Sequence, residues 1–236
     1  MSAPVLITGV GKRVGLALAH HFLDNDIAVI GTYRSQQPGL ELLKHKGAYL
    51  YACDFYEDHD LEHLLQTIRD HHPQLRAIIH NASDWLADNN PLTPLETLNR
   101  MMRIHVGAPY LINLELAELL QRQTEKAADI IHITDYVAEL GSKKHIAYAA
   151  SKAALQNLTH SFASLLAPDI KVNAIAPALV MFNSDDSDSY KQKAISKALL
   201  QKEGGVKEVI DAVNFLMNSQ YTTGRTLHLD GGRHLV

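Results

Sequence analysis

Short apolar runs alternate with longer amphipathic segments along the whole chain. The strand-like runs are Pro4–Thr8, Ile27–Tyr33, Ala48–Ala52, Leu75–His80, Asp129–Thr134, Lys171–Ile175 and Thr226–Leu229. Several, such as Ile27-Ala28-Val29-Ile30 and Ile130-Ile131-His132-Ile133, are apolar almost throughout, which suits strands covered on both faces. Between them the periodicity predicts helices over Lys12–Leu23, Leu40–His45, Leu61–His71, Pro94–Leu120, His145–Leu166, Tyr190–Leu200 and Val206–Asn218. Strands alternating with helices imply βαβ crossovers, hence an α/β fold with a doubly wound parallel sheet between two helical layers. Such sheets bind ligands at the carboxyl ends of their strands, near the switch in strand order.

Composition narrows the class. With 236 residues, 46% hydrophobic and 20% charged, and no linker, repeat or low-complexity stretch, the chain reads as one folded domain over residues 1–236. No apolar run reaches the roughly 18 residues that span a bilayer, so no membrane partner is expected. The start, Met1 to Gly9, has neither a basic region nor a long apolar core, and no signal peptide is expected. Cys53 is the single cysteine, which excludes an internal disulfide and favours the cytoplasm. A formal charge of −4 without a basic block argues against nucleic acid. Fourteen histidines, including the pairs His20-His21 and His71-His72, invite a metal, but no ligand motif accompanies them. They are expected to be mostly solvated, with no metal bound.

The first chemical signal is the turn Thr8-Gly9-Val10-Gly11-Lys12-Arg13-Val14-Gly15, between the first strand and the first helix. Gly9 and Gly11 let backbone approach a phosphate, and the helix start offers free N–H groups to it. A dinucleotide is therefore expected. NAD sites usually place a carboxylate at the end of the second strand. Here that strand ends Tyr33-Arg34-Ser35, and Arg34 and Ser35, with Arg13 nearby, suit a 2′-phosphate instead. NADPH is the expected cofactor.

The second signal is Tyr148-Ala149-Ala150-Ser151-Lys152, a tyrosine and a lysine four apart on one helix face. An ammonium nearby would lower the phenol pKa and make it a usable acid. With the glycine turn, Asn81-Ala82, Asn173-Ala174-Ile175-Ala176-Pro177 and Asp230-Gly231-Gly232, this pair resembles the short-chain dehydrogenases/reductases over essentially the whole chain. That resemblance implies a Rossmann-type sheet of about seven parallel strands and a homotetramer. It implies Tyr148 as acid/base and Lys152 as holder of the nicotinamide ribose. Asp54 then contacts adenine, and Asn81, Ala82 and Pro177 line the cofactor. The family's asparagine in the middle of the fourth long helix is replaced by His105, which either takes over its hydrogen bonds or reroutes them.

Where most of that family has a serine thirteen residues before the tyrosine, this chain has Asp135. Asp135, Arg13, Asn81-Ala82-Ser83 and Trp85 together resemble the family's pteridine reductases. This implies a pterin lying between Trp85 and nicotinamide, with Arg13, Ser83, Asp135 and Tyr148 around it. The expected reaction is NADPH-dependent reduction of 7,8-dihydromonapterin to the tetrahydro form, with dihydrofolate reduced more weakly. Hydride goes to C6, and Asp135 supplies the N5 proton directly or through water, assisted by Tyr148 and Lys152. An aspartate beside a phenol and away from water is expected to have a raised pKa. Two other readings stand beside it: a generic short-chain reductase of carbonyls or 3-oxoacyl thioesters, and a non-catalytic NADP-binding sensor. The segment Leu179–Tyr190 is expected to contain a lid, at Leu179–Asn183 foremost, and the tail Arg233–Val236 to reach a neighbouring subunit.

Overall fold

The computed structural model describes residues 3–120 and 127–236. Met1 and Ser2, part of the segment read for a leader, lie outside them. In chain order the elements are β1 (Val5–Ile7), α1 (Arg13–Asp24), β2 (Val29–Tyr33), α2 (Pro38–His45), β3 (Tyr49–Ala52), α3 (Asp58–His71), β4 (Ala77–His80), α4 (Pro94–Met102), α5 (Ala108–Leu116), β5 (Ala128–Ile133), α6 (Val137–Leu140), α7 (Ile146–Leu166), β6 (Ile170–Pro177), α8 (Asp188–Ile195), α9 (Val206–Asn218) and β7 (Thr226–Leu229). The seven strands form one parallel sheet in the order β3-β2-β1-β4-β5-β6-β7, the doubly wound arrangement expected. Strand order reverses between β1 and β4, so their carboxyl ends open a crevice at the sheet centre.

Side-chain alternation explains why the runs are apolar throughout. Leu6, Ile30, Ile78 and Ile130 point to one face, against Leu61, Leu65, Ile112 and Phe162. Their neighbours Val5, Ile7, Val29, Ile79 and Ile131 point to the other, against Leu18, Phe22, Val213 and Leu216. Each face thus buries its own core under helices.

The stretch expected as one helix over Pro94–Leu120 is instead three pieces. A π-helical turn, Arg103–Gly107, separates α4 from α5, and a 3-10 turn, Ala117–Leu119, ends the run. Pro109 has no N–H to give the preceding turn, and Gly107 holds helix weakly. The N-terminus of α4 is well set: Thr93 accepts from the backbone of Glu96, which reaches back to Thr93. Short α6, just after Asp135, has no counterpart among the expected helices.

The sheet interior carries more polar chemistry than the sequence suggested. At the bottom of the sheet, Asp129 on β5 is fully buried and pairs with Arg76 at 2.7 Å and Lys171 at 2.6 Å. The two cations also donate to Met217 O and Leu216 O, tying the end of α9 to the strands. Most of the histidines are exposed or half-buried, as expected, but His72, His80, His105 and His132 are buried.

His80 and His132 belong to one continuous chain of hydrogen bonds beneath the site. His80 Nε2 lies 2.7 Å from Asn113 Oδ1, Asn113 Nδ2 lies 3.2 Å from His132 Nε2, and His132 Nδ1 lies 2.8 Å from Thr159 Oγ1. Thr159 gives its only hydroxyl hydrogen to Leu155 O. His132 Nδ1 must therefore be the donor to Thr159, its Nε2 accepts from Asn113, and the Asn113 oxygen accepts from His80. These bonds are all met with both rings neutral. Burial holds His80 down to about 4 and His132 well below the ordinary histidine range.

These depressed values fix an acid limit. As pH falls below roughly 6.5, the unfolded chain takes up protons that the folded chain refuses. Each such imidazole therefore removes about 1.4 kcal/mol of stability per pH unit, down to about pH 4 for His80. Urea unfolding should show stability falling steadily from pH 7 to pH 5, with a shallower slope in His80→Gln. An unchanged midpoint over that range would contradict buried neutral histidines.

Candidate active site

The crevice between β1 and β4 is built by one threonine and one asparagine. Thr8 Oγ1 accepts from the backbone N–H of Asn81 and of Ala82, both at 3.0 Å. Asn81 Nδ2 returns hydrogen bonds to Thr8 O and Gly9 O, both at 3.0 Å. The glycine turn is thus locked to the end of β4. Gly9 has φ +75°, and a Cβ there would lie 2.9 Å from Ala82 Cα. A Cβ on Gly15 would meet Gly9 O at 2.1 Å. These glycines let the turn, the start of α1 and the end of β4 pack in direct contact. The first turn of α1 has no side-chain cap, so its N–H groups face outward without a partner from the cap position Lys12. This is the donor set that a pyrophosphate needs, and a dinucleotide fits it.

The other end of the cofactor path also fits. Tyr33, Arg34 and Ser35 follow directly on β2, and Arg34 is half-exposed with its guanidinium 3.4 Å from Asp84. The Asp54 carboxylate accepts from the backbone of Tyr56 at 3.1 Å, which sets the loop after β3. No acidic residue closes β2 to favour a ribose hydroxyl over a phosphate. Arg13, expected at the phosphates, has φ +54° and donates instead to Met181 O at 2.9 Å and to Asn183 Oδ1. Its guanidinium therefore fastens the segment after β6 to the glycine turn.

Asp135, Tyr148 and Lys152 come together as the spacing implied. Asp135 follows β5, and α7 carries the other two on its buried face. The Tyr148 hydroxyl donates to Asp135 Oδ2 at 2.9 Å, and Val137 N–H donates to Oδ1 at 3.0 Å. Burial pushes the Asp135 carboxyl above the usual carboxylate range, against those hydrogen bonds and the nearby Lys152 charge. Burial also depresses Lys152 to about 8; its ammonium donates to Ile133 O at 2.9 Å and lies 5.6 Å from the centre of the Tyr148 ring.

One expectation is corrected. Lys152 was expected to lower the Tyr148 pKa, yet burial and the adjacent Asp135 hold that phenol well above 10. Tyr148 stands as a neutral donor to Asp135. The carboxyl it donates to is itself raised by burial.

His105 sits in the π-helical turn, buried, with Nε2 2.8 Å from Ser83 Oγ and Nδ1 2.8 Å from Ser151 Oγ. Ser151 gives its hydrogen to Tyr148 O at 2.7 Å, so His105 Nδ1 carries the hydrogen and Nε2 accepts from Ser83. Burial and then the Lys152 charge hold His105 down to about 2, so it bridges as a neutral ring and is no proton carrier at neutral pH. Ser83 also lies beside the Tyr148 hydroxyl. Trp85 is exposed and stacks on His145, with ring centres 4.0 Å apart and planes 26° apart. His145 is the residue before α7, so Trp85 stands one turn ahead of Tyr148.

Comparison with known proteins agrees with this geometry. The family profile described as enoyl-(acyl carrier protein) reductase matches residues 9–234. This chain belongs to the short-chain dehydrogenase/reductase family. It is 53% identical to a dihydromonapterin reductase of Klebsiella pneumoniae over 98% of this chain and 97% of that one. It is 54% identical, over the same shares, to a protein of that name from an Enterobacter species. Among solved structures, FolM alternative dihydrofolate reductase 1 from Brucella suis, in complex with NADP, superposes with a TM-score of 0.88 at 25% identity, covering 100% of this chain and 96% of that one.

Further residues of this short-chain reductase escaped the sequence. Thr8 gave no motif of its own beyond the turn. His145 was visible only as a helix start, and its stacking on Trp85 needs the loop after β4 folded back. Arg233, read only as part of a tail directed at a neighbour, lies over its own chain's Tyr136 ring at 4.2 Å, and its charge acts on Asp135. The tail turn is held within the chain by Asp230, which accepts from Gly232 N and His234 N and pairs with His234 Nδ1 at 2.6 Å. In the segment Leu179–Tyr190, Asp186 accepts from Asn183 N and Ser187 caps α8, so these polar residues serve local turns.

Replacing His105 by Leu would leave Ser83 and Ser151 without their shared partner. Urea midpoints should drop by an amount worth about 1–3 kcal/mol. An unaltered midpoint would mean that the two serines do not depend on the ring.

Proposed function

We propose that this enzyme uses NADPH to reduce the C6=N5 imine of a 7,8-dihydropterin, with 7,8-dihydromonapterin preferred and dihydrofolate reduced more weakly. The observation that carries the reading is a half-buried carboxyl, Asp135, hydrogen-bonded by Tyr148 where a hydroxyl would serve a ketone. The names of the relatives and the NADP complex of the Brucella protein support both substrate class and cofactor. Arg34 and Ser35 would hold the 2′-phosphate, Gly9, Gly11, Val14 and the start of α1 the pyrophosphate, Asp54 the adenine, and Asn81, Ala82 and Pro177 the nicotinamide half. Lys152 keeps N–H groups beyond the one given to Ile133 O, which suit the ribose hydroxyls.

NADPH, when bound, supplies the hydride for C6. This chain's own task is the proton for N5. Protonated Asp135 donates it, directly or through one water. The carboxylate left behind is held by Val137 N–H and the Tyr148 hydroxyl, with the Lys152 and Arg233 charges nearby. The flat ring of the pterin suits the exposed face of Trp85, and Ser83 and Arg13 suit its polar edge. The side chain of Arg13 leaves its lid contacts to do so. The lid reading itself rests on Arg13 bonding Met181 and Asn183, which puts Leu179–Asn183 over the crevice.

The same reading makes the enzyme a cytoplasmic homotetramer. Tyr110 and Leu114 lie exposed on α5, beside α7 through the Tyr110–Phe162 ring contact, and support a subunit contact there. Cys53 is a buried thiol, pushed up to about 12 by burial, which suits a reducing compartment. Among the described residues no helix is long and apolar enough to cross a membrane.

Oxidation of NADPH, followed by absorbance, tests the function. Dihydromonapterin should turn over fast and dihydrofolate slowly, and Asp135→Asn should lose at least about 100-fold in turnover while still binding NADPH. Turnover of ketones or 3-oxoacyl thioesters alone, or a fully active Asp135→Asn, would overturn the assignment.

A further inference from the structure

The loop after β4 carries a carboxylate that neither the glycine turn nor the proton donor uses. Asp84 stands between Ser83 and Trp85, the residues expected around the substrate. Its Oδ1 accepts from the backbone N–H of Trp85 at 3.0 Å. Its Oδ2 faces three groups from elsewhere in the chain: the Tyr56 hydroxyl at 3.0 Å, Arg34 Nη1 at 3.4 Å and Arg100 Nη2 at 3.7 Å. One carboxylate therefore touches, through its two oxygens, the tryptophan at the substrate end and the arginine at the cofactor end.

We propose that Asp84 is a positioning residue that transmits occupancy of the 2′-phosphate site to Trp85. The proposal rests on the reading of Arg34 as the ligand of that phosphate.

The three partners of Oδ2 are not equivalent. Tyr56 is fixed: it is part-buried, and Arg100 covers its ring at 3.8 Å. Arg34 is half-exposed, sits 5.8 Å from the same ring and makes the longer of the two hydrogen bonds. A phosphate dianion is a better partner for a guanidinium than a single carboxylate oxygen at 3.4 Å. When the phosphate arrives, it draws Arg34 off, and the carboxylate settles on Tyr56 and Arg100. Oδ1 turns with it, and the Trp85 N–H follows. The indole then changes its stacking on His145, the contact that sets where its free face points. The Tyr56 hydroxyl, the Trp85 N–H and Arg34 together outweigh burial and hold Asp84 below the usual carboxylate range, so the charge that the relay needs is present at neutral pH. By linkage, a ligand stacked on Trp85 strengthens phosphate binding by the same factor.

Trp85 is the only tryptophan in the chain, so its fluorescence reports this one position. The experiment titrates the full-length protein with adenosine 2′,5′-bisphosphate and, in parallel, with 5′-AMP. Neither carries a nicotinamide, so neither reaches the substrate end. Binding of each is measured separately by calorimetry. The bisphosphate should shift the Trp85 emission and 5′-AMP should not. In Asp84→Asn the bisphosphate should still bind, with affinity equal or higher because Arg34 has lost its competing partner, and the emission should stay still. Arg100→Gln, which removes the partner the carboxylate falls back on, should weaken the shift. Dihydromonapterin should bind at least about fivefold more tightly with the bisphosphate present, and this gain should vanish in Asp84→Asn. Binding without a shift in the native protein, an equal shift with 5′-AMP, or a full shift in Asp84→Asn would each overturn the relay and leave the NADPH reading intact. A bisphosphate that fails to bind at all would overturn both.

Discussion

The hydrogen bond from Tyr148 to Asp135 is the interaction around which the site is organised. It joins the end of β5 to the buried face of α7 and couples the titration of its two partners. Burial and then the neighbouring carboxyl raise the phenol pKa, and burial raises that of the carboxyl. Removing water from both would leave a stranded charge in most states. The surroundings prevent it: Val137 N–H, Lys152, Ser83 and Arg233 all face the pair. A serine in place of Asp135 would donate a hydrogen bond but would not hold a transferable proton near neutral pH. In the proposed reaction, the choice of residue at this one place sets the kind of double bond that is protonated.

Behind that pair lies a polar interior unusual for a strand core. His105 on one side and the His80–Asn113–His132–Thr159 chain on the other are built on neutral imidazoles, with both ring nitrogens of His105 and His132 hydrogen-bonded. Satisfied networks of this kind fix one arrangement of helices against strands, because any slip leaves several groups unpaired at once. Here they fix α5 and α7 against β4 and β5, the elements that carry the site.

Much of the architecture was legible in the chain. All seven strands were visible, because a run apolar on both faces has few other homes, and the glycine turn and the Tyr148–Lys152 spacing located the site. The helix around His105 was misread because a π-helical turn keeps the apolar periodicity of its neighbours while changing the hydrogen bonding. Which few histidines are buried was not legible, because imidazole carries no mark of burial in one sequence; Asn113 and Thr159, distant in the chain, reveal it for His80 and His132. The Lys152 effect on Tyr148 was overestimated because spacing on a helix gives proximity and says nothing of burial. Asp84 and Arg233 were missed since their partners come from loops whose path only the folded chain sets.

The central claim is that Asp135 holds a releasable proton near neutral pH. The direct measurement is carbon NMR of the protein labelled at its aspartate carboxyls, titrated with and without Asp135→Asn to assign the resonance. The account predicts a carboxyl that titrates clearly above the ordinary aspartate value of about 3.9. A titration at or below that value would contradict it, because Asp135 would then be a carboxylate at working pH with no proton to give.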